Sequence, residues 1–505
     1  MTQKNALMSV YDKTDIVNFA RALIGLGWNL YSSGGTATKI AEADLPVTDV
    51  AELTGFPAIL GHRVVTLHPK VHGGILAIPD DEQHQADMEQ YGIQPFGLVV
   101  ANLYPFNSDP SIELIDVGGP TMVRAAAKNH AYVGIVTDPS QYKAVLEELR
   151  NRDKLSAETR RNLAIKAFAH TAAYDAAIVT WLQGDDVLPD TLHSSYTKVP
   201  PVLRYGENPH QEAAVYRQDG ADPWWVHMTQ HAGLAMSYLN MFDADAAWKL
   251  VYDELAFGDK AVCAIIKHTN PCGLAVADDL ATAYQLAFEC DERSAFGGVV
   301  AVNRIIDDTT VEAMVAAAQA DVVIAPGYGE GVVDKLIAKR KNTRLIEAVP
   351  PLPETRHIRP ITGGLLVQEP HHFDSQPTSW KVVTERQPTA AEMADAWLAF
   401  VICGYVKSNS IVLVKDGVAW GIGAGQQNRL ESGKIAAEKA AGRATGGACA
   451  SDAFYPFPDG IEAAADAGVA VIVQPGGSVK DDECIARANQ LGVTMVFTGE
   501  RHFYH

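Results

Sequence analysis

Short, unbroken apolar runs alternate along this chain with stretches of helical period, and that alternation limits the fold more than any other feature. Residues 6–10, 98–101 and 133–136 lack the polar alternate positions of a half-exposed strand, so they read as strands buried on both faces of a parallel sheet. Residues 15–26 place Ile16, Phe19, Ala20 and Leu23 on one helical face, with Thr14 as the expected cap and Gly25 and Gly27 as the stop. Residues 29–32 read as the next strand. A long Ala-rich helical pattern covers 156–182, after which 184–201 turns to Gly, Asp, Pro and Ser without period. That change predicts one domain over 1–190 and another over 198–505. The rhythm resumes at 262–266, 299–302, 322–325, 411–415 and 469–473, so both parts are expected to be α/β.

The second part carries a faint echo. Lys267-His268-Thr269-Asn270, Ala295-Phe296 and Ala325-Pro326-Gly327 are followed in the same order by Lys407-Ser408-Asn409, Ala453-Phe454 and Gln474-Pro475-Gly476. Either this is a duplication, which would put a site between two halves, or short Gly/Pro strings agree by chance. Charge narrows the partners: 41 Lys and Arg against 61 Asp and Glu give −20, which disfavours nucleic acid or an anionic membrane. An anionic ligand then needs a local positive pocket. The cysteines (Cys263, Cys272, Cys290, Cys403, Cys449, Cys484) never approach Cys-x-x-Cys spacing, so neither a disulfide framework nor structural zinc is expected. With no signal-like start and no apolar run of about 18 residues, a cytoplasmic protein is expected.

Several segments have the makings of a site. Ser32-Ser33-Gly34-Gly35-Thr36 follows a strand and opens a helix, gathering N–H groups, hydroxyls and a helix N-terminus for an anion; a plain Gly turn with a Thr cap is the other reading. Lys13 adds charge nearby. His68 and His72 have the i, i+4 spacing of a zinc pair, but Pro69 disfavours a regular helix there and the Glu of His-Glu-x-x-His is missing, so a polar loop lining a pocket is expected. Asn102-Leu103-Tyr104-Pro105-Phe106 closes a strand and Asp116-Val117-Gly118-Gly119-Pro120-Thr121 leads into a helix, at the carboxyl-end position where open α/β sheets bind ligands. Lys267-His268 sets an ammonium beside an imidazole at a strand end, which disfavours the imidazolium and suits a base. The same segment lacks the Glu and the second Cys of zinc deaminases, position 275 being Ala. Arg429, after Gly421-Ile422-Gly423-Ala424-Gly425, is placed either for a phosphate or carboxylate or for an ordinary surface salt bridge.

Together these segments resemble the bifunctional purine-biosynthesis family that joins a phosphoribosylaminoimidazolecarboxamide (AICAR) formyltransferase to an inosine monophosphate (IMP) cyclohydrolase. The likeness runs from Ser9-Val10-Tyr11-Asp12-Lys13-Thr14 through Thr66-Leu67-His68-Pro69, Ala125-Ala126-Ala127-Lys128-Asn129-His130 and Leu203-Arg204-Tyr205-Gly206-Glu207-Asn208-Pro209-His210-Gln211 to Arg501-His502-Phe503-Tyr504-His505. It implies a methylglyoxal-synthase-like parallel-sheet domain in front and a duplicated cytidine-deaminase-like α/β domain behind. It also implies nucleotide and folate substrates, 10-formyltetrahydrofolate as cosubstrate, no zinc, and a homodimer. In the rear domain it makes His268 the base, with Lys267 and Asn409 polarising and orienting, Arg204, Tyr205 and Arg429 on the nucleotide, and Phe296, Gly297 and Asp321 in the pocket wall. In the front domain it makes Tyr104, Asp116 and Lys128 catalytic and Lys13, Ser33, Gly35, Thr36, Arg63, Thr66 and Asn102 binding residues. Two positions depart from the family pattern: Val65 stands where Arg-Val-Lys-Thr has its Lys, and Tyr11 replaces a small hydroxyl residue. Valine donates no hydrogen bond, which leaves open a formyltransferase whose front domain binds nucleotide but closes the ring poorly.

Overall fold

The computed structural model describes residues 4–253 and 257–505, divided into two compact units: residues 1–196 with 218–220, and 197–217 with 221–505. In the first unit β1 (Asn5–Ser9), β2 (Asn29–Ser32), β3 (Thr48–Asp49), β4 (Leu98–Ala101) and β5 (Gly134–Val136) form a parallel sheet in the order β3-β2-β1-β4-β5. Every residue of β4 and β5 is buried, which is why their sequences are apolar without alternation. The order reverses across β1 and β4, so their carboxyl ends flank a crevice. Helix α1 (Ile16–Gly25) buries Ile16, Phe19, Ala20 and Leu23 as expected, but Thr14 is not its cap. Asp15 occupies that position in the left-handed conformation (φ 55°) without a capping side-chain bond. The Ala-rich pattern folds as one helix over Ala157–Gln183, begun by Ser156, whose hydroxyl accepts from the Thr159 amide at 3.1 Å.

The second unit is built on a twelve-stranded mixed sheet. From one edge inward run Thr229–Ala232, Arg344–Glu347, Val322–Ala325, Val299–Val302, Ala261–Lys267 and Asn270–Ala277. From the other run Lys381–Val382, Thr494–Phe497, Val471–Gln474, Ala448–Ser451, Ile411–Lys415 and Val418–Gly423. Each set is an antiparallel hairpin, three parallel strands and an antiparallel edge strand, and the two meet where Ala275 pairs with Val418. The duplication is therefore real in topology. Of the three sequence echoes only the last is in register: Ala325-Pro326-Gly327 and Gln474-Pro475-Gly476 leave equivalent strands. Lys267-His268-Thr269-Asn270 spans a hairpin turn whereas Lys407-Ser408-Asn409 precedes a hairpin, and Ala295-Phe296 precedes a strand whereas Ala453-Phe454 follows one. Those two matches are coincidence.

Alternation along the strands fills two cores. Val262, Ala264 and Ile266 pack beneath the helix Tyr238–Val251, in a core that extends to the helix Ala390–Gly404, while Cys263 and Ile265 face Leu280–Cys290 on the other side. All six cysteines are buried free thiols. Antiparallel pairing of the two central hairpins brings the 268–269 turn, the amino ends of three first-half strands and the carboxyl ends of three second-half strands to a single edge of the sheet. Among the described residues no helix is long and apolar enough to cross a membrane.

Candidate active sites

In the first unit the loops leaving β1, β2 and β4 enclose a cavity of about 410 Å³. Its wall includes Lys13, Ser33, Gly35, Thr36, Arg63, Thr66, Asn102, Tyr104 and Asp116, together with the two departures, Tyr11 and Val65. Lys128 is not part of that wall; it is exposed in the last turn of a helix over Gly118–Lys128. Asn102 and Thr36 shape the loop after β1. The Asn102 Oδ1 accepts from the amides of Tyr11 (2.7 Å) and Asp12 (3.0 Å), and Thr36 Oγ1 bonds both N–H and C=O of Val10. Ser33 precedes the helix over Gly34–Ala41 without capping it, so its hydroxyl remains with the helix N-terminus for an anion. A Cβ at Gly35 would lie 3.8 Å from Lys13 Nζ, which places an ammonium over that N-terminus. Arg63 pairs with Glu113 on the surface, a contact weak enough to yield to a phosphate.

The histidine segment differs from its expectation. A regular helix covers Pro69–Leu76 with proline at its first position, where a missing N–H costs nothing, and His68 Nδ1 caps it by accepting from Lys70 N at 3.1 Å. His68 thus serves the helix and His72 lies within it, and neither lines the cavity, whereas His62 does.

Burial raises the pKa of Asp116 against the pull of the Gly119, Gly118 and Val117 amides, and burial together with the charge of Asp116 raises that of Tyr104. A carboxyl and a phenol displaced in this way across one cavity are candidates for moving a proton. Gly119 makes the arrangement possible: its amide donates to Asp116 Oδ1 at 3.0 Å, and a Cβ there would stand 2.1 Å from Asp116 Oδ2. Gly119→Ala therefore displaces the carboxylate and is expected to lower turnover at this cleft about 10²-fold, with any reaction at the second unit unchanged. Steady-state rates measured separately for the two units check this, and an unaltered rate at the first would count against Asp116.

In the second unit the predicted residues gather along the edge that the topology creates. Lys267 Nζ donates to Phe296 O at 2.6 Å and lies 3.4 Å from where a Gly297 Cβ would be, with Asp321 Oδ1 at 3.9 Å from the same point. Arg204 stacks on Tyr205 (5.2 Å), and both sit within electrostatic reach of Arg344, whose guanidinium donates to Asp321 O at 3.3 Å. His268 is exposed at the hairpin tip. Asn270 Oδ1 accepts from Lys407 N at 2.9 Å, which ties that tip to the segment bearing Asn409.

Asn409 is fixed on both sides, its amide donating to Gln426 O at 3.0 Å and its carbonyl accepting from Arg429 at 2.8 Å. Arg429 also bonds Asp452 at 2.8 Å and Phe454 O at 3.0 Å, and its side chain is only 10% exposed. Neither sequence reading of Arg429 anticipates a buried bridge; in this structure it orients Asn409.

Sequence reasoning misses Arg344, Asp243, Lys407 and the way the C-terminal residues are held. Lys407 Nζ donates to the His505 carbonyl at 2.6 Å, Arg359 bonds the same oxygen, and Ser408 N donates to Tyr504 O at 2.9 Å. No periodicity marks such contacts; only the fold brings chain positions so far apart together. His502, within this tail, is buried: its Nδ1 pairs with His371 Nε2 at 2.8 Å, and its Nε2 lies 3.0 Å from Glu500 Oε1 but off the hydrogen-bond direction. Burial, reinforced by His371 and opposed by Glu500, pushes the His502 imidazole down to about 4. The unfolded chain then binds the extra proton between about pH 6.5 and 4, so stability falls as pH falls through that window. Melting temperatures from pH 7 to 4 should drop less steeply for His502→Gln than for the wild type; equal slopes would sink this assignment.

Beneath the turn lies a further cavity of about 520 Å³ that Ile266 and Thr269 line but Lys267 and His268 do not. Among the described residues no group of three or more His, Cys, Asp or Glu is arranged to hold a metal.

The class these features define is a two-site α/β enzyme, with an anion-fitted cleft at the switch point of a parallel sheet and an imidazole, an ammonium and an amide along the edge of a duplicated one. Comparison with known proteins makes the class particular. The AICARFT/IMPCHase bienzyme family model matches residues 126–439 and an MGS-like domain model matches residues 15–130. Proteins named bifunctional purine biosynthesis protein PurH from Parvibaculum lavamentivorans and Synechococcus elongatus are each 47% identical to this chain, covering 99% of it and 97% and 99% of their own lengths. One of the same name from Cereibacter sphaeroides is 46% identical, covering 99% of this chain and 98% of its own. The chain belongs to the AICARFT/IMPCHase bienzyme family.

Proposed function

We propose that the second unit transfers the formyl group of 10-formyltetrahydrofolate to the 5-amino group of AICAR, and that the first unit closes the formylated product to IMP with loss of water. The observation that carries this reading is the placement of His268 at a hairpin tip beside Lys267, tied by Asn270 to the segment that holds Asn409. The amine of AICAR is conjugated with its ring and is a weak nucleophile. As its nitrogen bonds to the formyl carbon, His268 accepts the N–H proton, while the Lys267 side chain and the Asn409 amide face the oxyanion. The carbon–nitrogen bond to the folate then breaks, and tetrahydrofolate leaves with a proton. Arg204 and Arg344 supply the local positive charge that a nucleotide phosphate or folate carboxylates require on a chain of net charge −20.

Ring closure needs a folded conformer more than a strong catalyst. The carboxamide nitrogen attacks the formyl carbon, and the formyl oxygen departs as water after protonation. The Ser33–Thr36 cradle with Lys13 is suited to the phosphate, and Tyr104 and Asp116 to the proton transfers. We further infer a homodimer in the cytosol, from the family likeness, with light scattering as its test. Supplying purified protein with AICAR and 10-formyltetrahydrofolate and following tetrahydrofolate and IMP tests both halves; absence of either product overturns the corresponding assignment.

A further inference from the structure

We propose that Asp243 is a positioning residue for formyl transfer: its carboxylate holds the left-handed turn that begins with His268 and so fixes where the imidazole stands. The inference rests on His268 being the base. His268 and Thr269 form a two-residue hairpin loop between paired Lys267 and Asn270, and both are left-handed, with φ of 54° and 61°. Such loops favour Asn-Gly or Asp-Gly, because both central residues need positive φ. A β-branched threonine is an outlier in that conformation. Something outside the loop must therefore hold it, and Asp243 Oδ1 accepts from Thr269 N at 2.8 Å. The position of Asp243 is itself fixed: it is the sixth residue of the helix Tyr238–Val251, whose start is secured by a capping box of Ser237 and Asn240.

The second half of the sheet contains the same device without the chemistry. Helix Ala390–Gly404 begins with a capping box of Thr389 and Glu392, and its sixth residue, Asp395, accepts from Asp416 N and Gly417 N at 3.1 Å each. That turn is also left-handed, with φ of 51° and 78°, and lies between paired Lys415 and Val418. Its tip is Asp-Gly, the pair the loop prefers. The carboxylate clamp is thus common to both halves, and only the half that carries the base combines it with tip residues that resist the turn. In the first half the clamp keeps an unfavourable loop in the shape that presents His268.

Asp243→Ala is expected to lower kcat for formyl transfer about 10²-fold with KM for AICAR little changed, while the first unit still closes the ring at its normal rate. Asp243→Asn, which keeps an acceptor oxygen, should restore a large part of the loss. In a His268→Ala background, adding Asp243→Ala should cost nothing further, since the carboxylate acts through the imidazole. Asp395→Ala should lower the melting temperature without lowering kcat. Full activity in Asp243→Ala, or an undiminished additional loss in the His268→Ala background, would overturn the proposal. If the alanine variant does not fold, Asp243→Glu, which displaces the acceptor by one methylene, takes its place: lowered kcat at a normal melting temperature supports the clamp, and wild-type kcat overturns it. Failure of the underlying reading shows separately, as His268→Ala alone with undiminished formyl transfer.

Discussion

His268→Ala is expected to lower formyl transfer to AICAR by about 10³-fold, within the range for loss of a positioned base, and to leave closure of the formylated intermediate to IMP at the wild-type rate. The size follows from the nucleophile. An arylamine that shares its lone pair with the ring attacks only as its proton departs, and at the turn carrying His268 the neighbouring Lys267 is a cation engaged with Phe296 O. The separation of effects follows from the fold, because the cavity proposed for ring closure is built from residues of the other unit. Single-turnover rates with saturating AICAR and 10-formyltetrahydrofolate, beside IMP formation from the isolated intermediate, measure both. Formyl transfer at undiminished speed would remove the base from the mechanism, and parallel loss of both activities would mean that the substitution had acted on folding.

Val65→Lys is expected to raise the rate of ring closure by about tenfold. A well-placed donor to a developing oxyanion is worth about 10²–10³, and a lysine added to a wall not otherwise adapted to it should recover the lower part of that benefit. Val65 is half-buried in the cavity wall beside Thr66, so a longer side chain there reaches the cavity. Lys13 already brings one ammonium to the cleft, but its Nζ donates to Tyr11 O at 3.2 Å and lies by the helix that follows Ser33, at the phosphate end of the proposed pose. Absorbance assays on the intermediate, with formyl transfer as the internal reference, decide the point. An unchanged or slower rate would mean that the departure at position 65 carries no catalytic cost.

Much of the architecture is legible in the sequence because burial on both faces leaves a plain mark: β4 and β5 have no polar residue, and the strands at 261–267, 299–302 and 322–325 are apolar throughout their interiors. The front cleft is legible for a related reason, since loops at carboxyl ends of parallel strands are where Ser33, Asn102 and Tyr104 had to fall. Caps are less so. Residue type alone misplaces the roles of Thr14 and Pro69, because the outcome turns on a left-handed Asp15 and on proline occupying a first-turn position. Lys128 has the right charge but the wrong end of its helix. Arg429 and Asp243 pair with residues 23 and 26 positions away, and nothing in local spacing announces such pairs. The duplication shows in three strings of which two are misaligned; the common signal lies in a capping box with an aspartate at the sixth helical position, at Asp243 and Asp395.

The matching hairpins also fix where this molecule can be altered. Because they run antiparallel at the centre of the sheet, one tip reaches the working margin and the other the margin opposite, a full strand length or about 20 Å away. The exposed Asp416 side chain thus offers an attachment point for a label, remote from the proposed reacting atoms, while the Asp416 and Gly417 amides stay with Asp395.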